Sequence, residues 1–198
     1  MSGQRLNNLY LIAGVNGTGK TQFVRKFIDR SKKRVLIVNP TFEEKWDRYP
    51  KIKLDDTEEL RKFEGVKQLQ PTYVFGNMRK PFIKLLQVMW DNYENGVLVM
   101  DDCREMIGAN LVEEVGTIMR GYRQHNIDLF AIFHSLNQVP PKFWEHCNGY
   151  LVIFKTQDNW KRIKDKLPQH KISEIEQTWH RVMQKSDSDK HYFEIVQL

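Results

Sequence analysis

The segment LIAGVNGTGKTQF, residues 11–23, leaves this chain few folds to choose from. An apolar run feeds a turn with glycine at 14, 17 and 19, and the turn leaves through Gly19-Lys20-Thr21. GVNGTGKT (14–21) satisfies the spacing G-x-x-x-x-G-K-[ST], which belongs between a buried strand and the first turn of a helix. Glycine lets the backbone wrap closely, so that successive N–H groups and the helix N-terminus converge on an anion. The candidates for holding a nucleotide's phosphates are Gly14, Val15, Asn16, Gly17, Thr18, Gly19, Lys20, Thr21 and Gln22. Lys20 is expected to reach the β- and γ-phosphates, and the Thr21 hydroxyl to help hold Mg2+.

The rest of the chain agrees with that start. Apolar runs of strand length recur at 9–14, 34–40, 96–102, 128–134 and 150–155, each apolar nearly throughout, as strands covered on both faces should be. Longer amphipathic segments alternate with them, predicting helices at 20–30, 56–63, 79–93, 109–125, 139–147, 157–167 and 171–184. This alternation reads as an α/β fold with a mostly parallel sheet flanked by helices on both faces. The irregular stretch 41–78 is expected to hold a helix and one or two short strands, and the tail 190–198 an edge strand. No repeat or linker divides the 198 residues, so one domain is expected, with its motifs within 9–155.

A phosphate loop of this kind needs an acid at the end of another strand. GVLVMDDCRE (96–105) supplies Asp101 and Asp102 after four apolar residues. Asp101 is the natural magnesium anchor, acting through water, and Asp102 is positioned to polarise the attacking water, with Glu105 as a fallback base. Helix capping is the plain alternative for the pair, and both roles are compatible. A guanine-reading N-K-x-D motif is absent, whereas a small-molecule kinase remains compatible with these features. Loss of activity with intact folding is expected for Lys20→Ala and Asp101→Ala.

In MRGYRQHNIDLFAIFHSLNQ (119–138) an amphipathic segment ends with Arg120 and Arg123, and a strand then finishes on His134, Ser135 and Asn137. A strand ending in polar groups beside the Asp101 strand would bring a sensor close to the γ-phosphate. An arginine at the helix-to-strand junction can reach a neighbouring subunit's nucleotide, or it is a solvated helix-end cation favoured by the macrodipole.

Taken together, the phosphate loop, the aspartate pair and the RQHNID junction resemble the FtsK/HerA superfamily of DNA-pumping P-loop ATPases, which is RecA-like in fold. Within it, the resemblance is to the viral genome-packaging ATPases of poxvirus-like and membrane-containing icosahedral viruses, and it spans roughly residues 9–155. It implies ATP as the nucleotide and catalytic roles for Lys20, Asp101 and Asp102. It also implies Arg123, with Arg120 as the alternative, as the arginine given in trans. That family usually carries Gln where this chain has His134, so the sensor is His134, Asn137 or Gln138. The partners implied are double-stranded DNA, further copies of the chain in a hexameric or pentameric ring, and a capsid or portal vertex protein. Conjugation- and secretion-type ATPases of the same superfamily are the alternative, and a nucleotide-dependent assembly protein is another.

Composition fits without deciding. The formal net charge is +6, which favours polyanionic partners. The densest basic stretches, 31–34 and 155–171, are candidates for DNA or simply solvated faces. Two cysteines outside any CxxC pattern suit a reducing compartment. With no apolar window of membrane-spanning length, a cytoplasmic or virion location is expected.

Overall fold

The computed structural model describes residues 7–40, 44–71, 79–104 and 113–198. Eight strands form one sheet: β1 Leu9–Ala13, β2 Arg34–Val38, β3 Lys51–Ile52, β4 Val66–Leu69, β5 Gly96–Met100, β6 Ile127–Phe133, β7 Tyr150–Phe154 and β8 Phe193–Gln197. Their spatial order is β3-β4-β2-β5-β6-β1-β7-β8. All pairings are parallel except β7 with β8, which is antiparallel. The helices are α1 Lys20–Ile28, α2 Thr57–Lys62, α3 Arg79–Asn92, α4 Glu113–Gly121, α5 Pro141–His146, α6 Trp160–Ile163 and α7 Ile172–Lys185. The α/β, RecA-like architecture expected from the sequence is the one observed.

Strand side chains alternate between two cores. Val97 and Val99 of β5, Phe130 and Ile132 of β6 and Ile12 of β1 pack with Val24 and Ile28 of α1 and with Trp46 and Tyr49. Leu98, Met100, Leu129, Ala131, Leu9 and Leu11 face the larger core, which α2 to α7 cover. Every residue of β5 and β6 is buried. Each such aliphatic side chain contributes about 1.5–3 kcal/mol relative to exposure. That is why these strands are apolar on both faces rather than alternating.

The order of the central strands positions the site. After β1 the chain crosses to β2 on one side, while β7 pairs with β1 on the other. This reversal opens a crevice at the carboxyl ends, where open α/β sheets bind their ligands. β6 lies between β1 and β5, so its end is flanked by the glycine loop and the aspartate pair.

Differences from the sequence reading are local. The helix expected at 157–167 is broken into α6 and a 3-10 turn, Lys164–Lys166. Asp158 does not join it because both its carboxylate oxygens accept from the backbone N–H groups of Leu136 and Asn137. Asn159 then caps α6 by accepting from Lys161 N–H. The helix expected at 109–125 stops at Gly121, where a Cβ would fall 2.6 Å from the Trp90 ring. Its start, and Glu105, lie outside the described residues. The middle stretch does hold a helix and two short strands, α2 with β3 and β4. β8 is the expected edge strand.

Tryptophans pack the helices against the sheet and against one another. Trp144 is buried, Trp90 stacks on His125 at 3.9 Å, and Trp160 and Trp179 lie 5.5 Å apart between the C-terminal elements.

Candidate functional site

A cleft of about 410 Å³ opens at the carboxyl ends of the central strands. Asn16 to Gln22, Asp101, Asp102 and His134 line it, with Arg25, Lys45, Ile132 and His191. The loop's shape depends on left-handed backbone at Gly17 (φ 78°) and Gly19 (φ 96°), a region that a side chain strongly disfavours. Gly19 is the N-cap of α1, so the N–H groups of the helix's first turn face the cleft.

Gly14 and Val15 stand at the start of the loop and are held there by backbone hydrogen bonds. Neither lines the cleft. Gly14 N–H donates to the carbonyl of Phe133 at 3.2 Å and Val15 N–H to that of Lys155 at 2.8 Å. These two residues anchor the loop to β6 and β7. Gly14 is required because a Cβ there would sit 2.5 Å from Phe154 Cβ.

Lys20 is 7% exposed, and its ammonium donates to the carbonyls of Gly14 and Val15. Burial, and then the nearby Lys45 charge, lower its pKa to about 8, although Asp101 and Asp102 pull the other way. In the unfolded chain the amine keeps its proton up to about pH 10.5. Between pH 8 and 10.5 the unfolded state therefore binds more protons, and the stability attributable to Lys20 rises with pH. Lys20→Met is thus expected to abolish phosphate binding yet stabilise the fold by about 1–2 kcal/mol, once its lost hydrogen bonds offset part of the gain. Thermal unfolding should show that gain in full below pH 8 and its disappearance by about pH 10.5.

The two aspartates differ. Asp101 is 1% exposed, and its Oδ2 accepts from Trp46 Nε1 at 2.6 Å and lies 3.0 Å from Lys45 Nζ. Asp102 has φ 47°, a strained setting of the kind found at functional sites. Its Oδ1 is buried without a hydrogen-bond partner among the described residues. His134 Nε2 lies 3.4 Å away, outside good hydrogen-bond geometry.

Of the three sensor candidates, the structure brings only His134 to the cleft. Gln138 Oε1 accepts from His134 N–H at 3.1 Å, and Asn137 Oδ1 accepts from Lys166 at 2.6 Å.

A divalent cation fits the donor set. The Thr21 hydroxyl and the carboxylates are hard oxygen donors, and Asp102 Oδ1 is a buried acceptor without a described donor. Among the described residues no cluster of three or more acidic, His or Cys ligands forms a cage.

Arg123 is elsewhere. It follows α4 and precedes β6, at the amino end of the sheet. Its Nε donates to Tyr122 Oη at 3.2 Å, a terminal nitrogen donates to the carbonyl of His146 at 3.3 Å, and the residue is exposed. Arg120 is also exposed and donates to Thr117 Oγ1 at 3.3 Å.

The sequence reading missed Lys45, Trp46, Arg25 and His191. Lys45 and Trp46 share a 3-10 turn, Glu44–Trp46, in the irregular middle where no periodicity points to them. His191 comes from the turn before β8, and a Cβ on Gly19 would lie 3.1 Å from its Nδ1.

No protein-family model and no curated protein sequence matches this chain. Solved structures do. The genome packaging NTPase B204 of Sulfolobus turreted icosahedral virus 2, in complex with AMP, superposes with a TM-score of 0.69 at 12% identity, covering 96% of this chain and 92% of that one. The DNA-packaging ATPase B204 of Sulfolobus turreted icosahedral virus gives 0.68 at 13% identity, with the same coverage. VirB4 of Thermoanaerobacter pseudethanolicus gives 0.56 at 11% identity over 87% of this chain and 84% of that one. At these identities the likeness establishes the fold.

Proposed function

We propose that this chain is an ATPase that drives double-stranded DNA, a genome-packaging motor acting as a homo-oligomeric ring. The observation that carries the reading is the division of the charged set along the sheet. Lys20, Asp101, Asp102 and His134 face one cleft, while Arg123 sits at the far end of β6, a strand of seven residues. At about 3.3 Å per residue, that is on the order of 20 Å. Arg123 therefore serves the cleft of the next subunit, not its own, and the site is complete only between copies.

In this account Lys20 turns from the loop carbonyls to the β- and γ-phosphates, and the N–H groups of Asn16 to Thr21 wrap them. Thr21 and Asp101 hold Mg2+, which when bound screens the charge of the phosphate oxygens. Asp102 accepts a hydrogen bond from the attacking water and orients it toward the γ-phosphorus. His134, at the end of the intervening strand, senses the γ-phosphate. Arg123 of the neighbour neutralises charge that grows on the transferring phosphoryl group. Release of that contact after hydrolysis shifts one subunit against the next, and basic side chains on the ring carry DNA phosphates with it.

Support comes from the fold shared with B204, a viral packaging NTPase, over nearly the whole of both chains. A capsid or portal vertex protein is the docking partner this role implies, in the host cytoplasm or the virion. No described helix is long and apolar enough to cross a membrane.

Displacement of a triplex-forming strand from linear duplex tests the reading. The wild-type chain should strip the third strand with ATP but not with a non-hydrolysable analogue, and Lys20→Ala should not strip it at all. Rapid ATP hydrolysis with the triplex left intact would count against translocation.

A further inference from the structure

Two donors converge on Asp101 Oδ2, which takes the Trp46 indole N–H at 2.6 Å and lies 3.0 Å from the Lys45 ammonium. The two donors are held differently. Trp46 is fully buried. Its carbonyl accepts from Gln68 Nε2 at 3.1 Å and from Tyr49 N–H at 3.0 Å, and the Arg25 guanidinium lies 5.5 Å from its ring centroid. This indole cannot leave without opening the core beside α1. Lys45, one residue earlier, has a side chain 29% exposed and lines the cleft. Its flexible stem lets the ammonium move while the turn stays in place.

With the indole fixed on the same oxygen, an ammonium and a divalent cation compete for what remains of the carboxylate's charge. We propose that Lys45 and Mg2+ alternate on Asp101, so that binding of the cation frees the Lys45 ammonium for the nucleotide's phosphates. This rests on the nucleotide reading above and adds to it a residue and an order of events. Without the cation, Lys45 masks a carboxylate that would otherwise repel the phosphates. With the cation in place, that masking is redundant and the ammonium becomes a phosphate contact. Trp46 holds the carboxylate in the same orientation in both cases.

The consequence is a metal-dependent effect of one side chain. Binding of a fluorescent, non-hydrolysable ATP analogue would be measured in Mg2+ and in excess EDTA, for the wild type, Lys45→Met, Lys45→Gln and Lys45→Arg. In both neutral variants the Mg2+ Kd should rise about tenfold, the scale of one charge-assisted contact. The EDTA Kd, where only the masking of Asp101 is lost, should rise by clearly less, so that the ratio of the EDTA Kd to the Mg2+ Kd falls. Lys45→Arg should keep the ratio within about twofold of wild type. Equal weakening in both conditions would make Lys45 an ordinary phosphate ligand and overturn the exchange, as would no change in either. A wild-type chain that binds the analogue in neither condition would remove the nucleotide reading itself. Circular dichroism of each variant separates these outcomes from misfolding.

Discussion

Arg123→Ala is expected to leave nucleotide affinity unchanged and to lower the rate of ATP hydrolysis about a thousandfold or more, the range for a lost trans arginine. The affinity holds because Arg123 lines no part of its own chain's cleft. In the proposed ring the rate falls because the neighbour's transition state loses the arginine supplied across the interface. Stability should change little, since the guanidinium is exposed and its contacts, Tyr122 Oη and the His146 carbonyl, lie at 3.2 and 3.3 Å. Mixing gives the sharper result. Lys20→Ala subunits keep Arg123 and lack a working cleft, whereas Arg123→Ala subunits have the cleft and lack the arginine. Each alone should be inactive, and the mixture should recover a fraction of wild-type hydrolysis. A mixture as inactive as its parts would place the arginine's role elsewhere. Normal hydrolysis by Arg123→Ala alone would do the same.

At Asp101, alanine and asparagine should separate chemistry from structure. Both substitutions are expected to reduce hydrolysis at least about a hundredfold, because the metal loses its anchoring charge. Only alanine should also destabilise the fold, by about 1–3 kcal/mol, because it leaves the buried Trp46 N–H without an acceptor. Asparagine keeps an oxygen for that indole and should unfold near the wild-type temperature. The intact folding expected of Asp101→Ala from sequence alone is thus revised by a contact between residues 55 positions apart. Equal unfolding temperatures for the two variants would show that the indole bond carries little of the stability.

Much of this was legible in the chain before any coordinate. Every residue of β5 and β6 is buried, and apart from Asp128 near the start of β6 both strands announce themselves as apolar runs. The glycine loop has a spacing with one mechanical use, and the aspartate pair sits where an apolar run stops. Which of His134, Asn137 and Gln138 lines the cleft was not legible, because it depends on a sharp turn whose N–H groups Asp158 holds from beyond β7. Gly14 and Val15 matched the motif, yet their N–H groups bind neighbouring strands, a fact only sheet order reveals. Lys45 and Trp46 lie in a three-residue turn, too short for any period to mark, and their importance arises from a long-range contact with Asp101.

Some of the basic residues in the two dense stretches are paired within the fold. Lys33 of the first basic stretch pairs with Asp128 at 3.2 Å, and Lys155 and Lys171 of the second pair with Asp187 and Glu174. Lys161, Arg162 and Lys164 stand exposed on and just after α6, beyond the Asp158 clamp.

The central claim is that nucleotide hydrolysis in this fold is coupled to duplex DNA. Steady-state ATP hydrolysis, measured with and without long linear double-stranded DNA across a salt series and with Lys20→Ala as the blank, tests it most directly. The wild-type rate should rise with long duplex at low salt, and the stimulation should fade as salt rises. A wild-type rate that stays above the blank yet is unmoved by duplex at every salt concentration would contradict it.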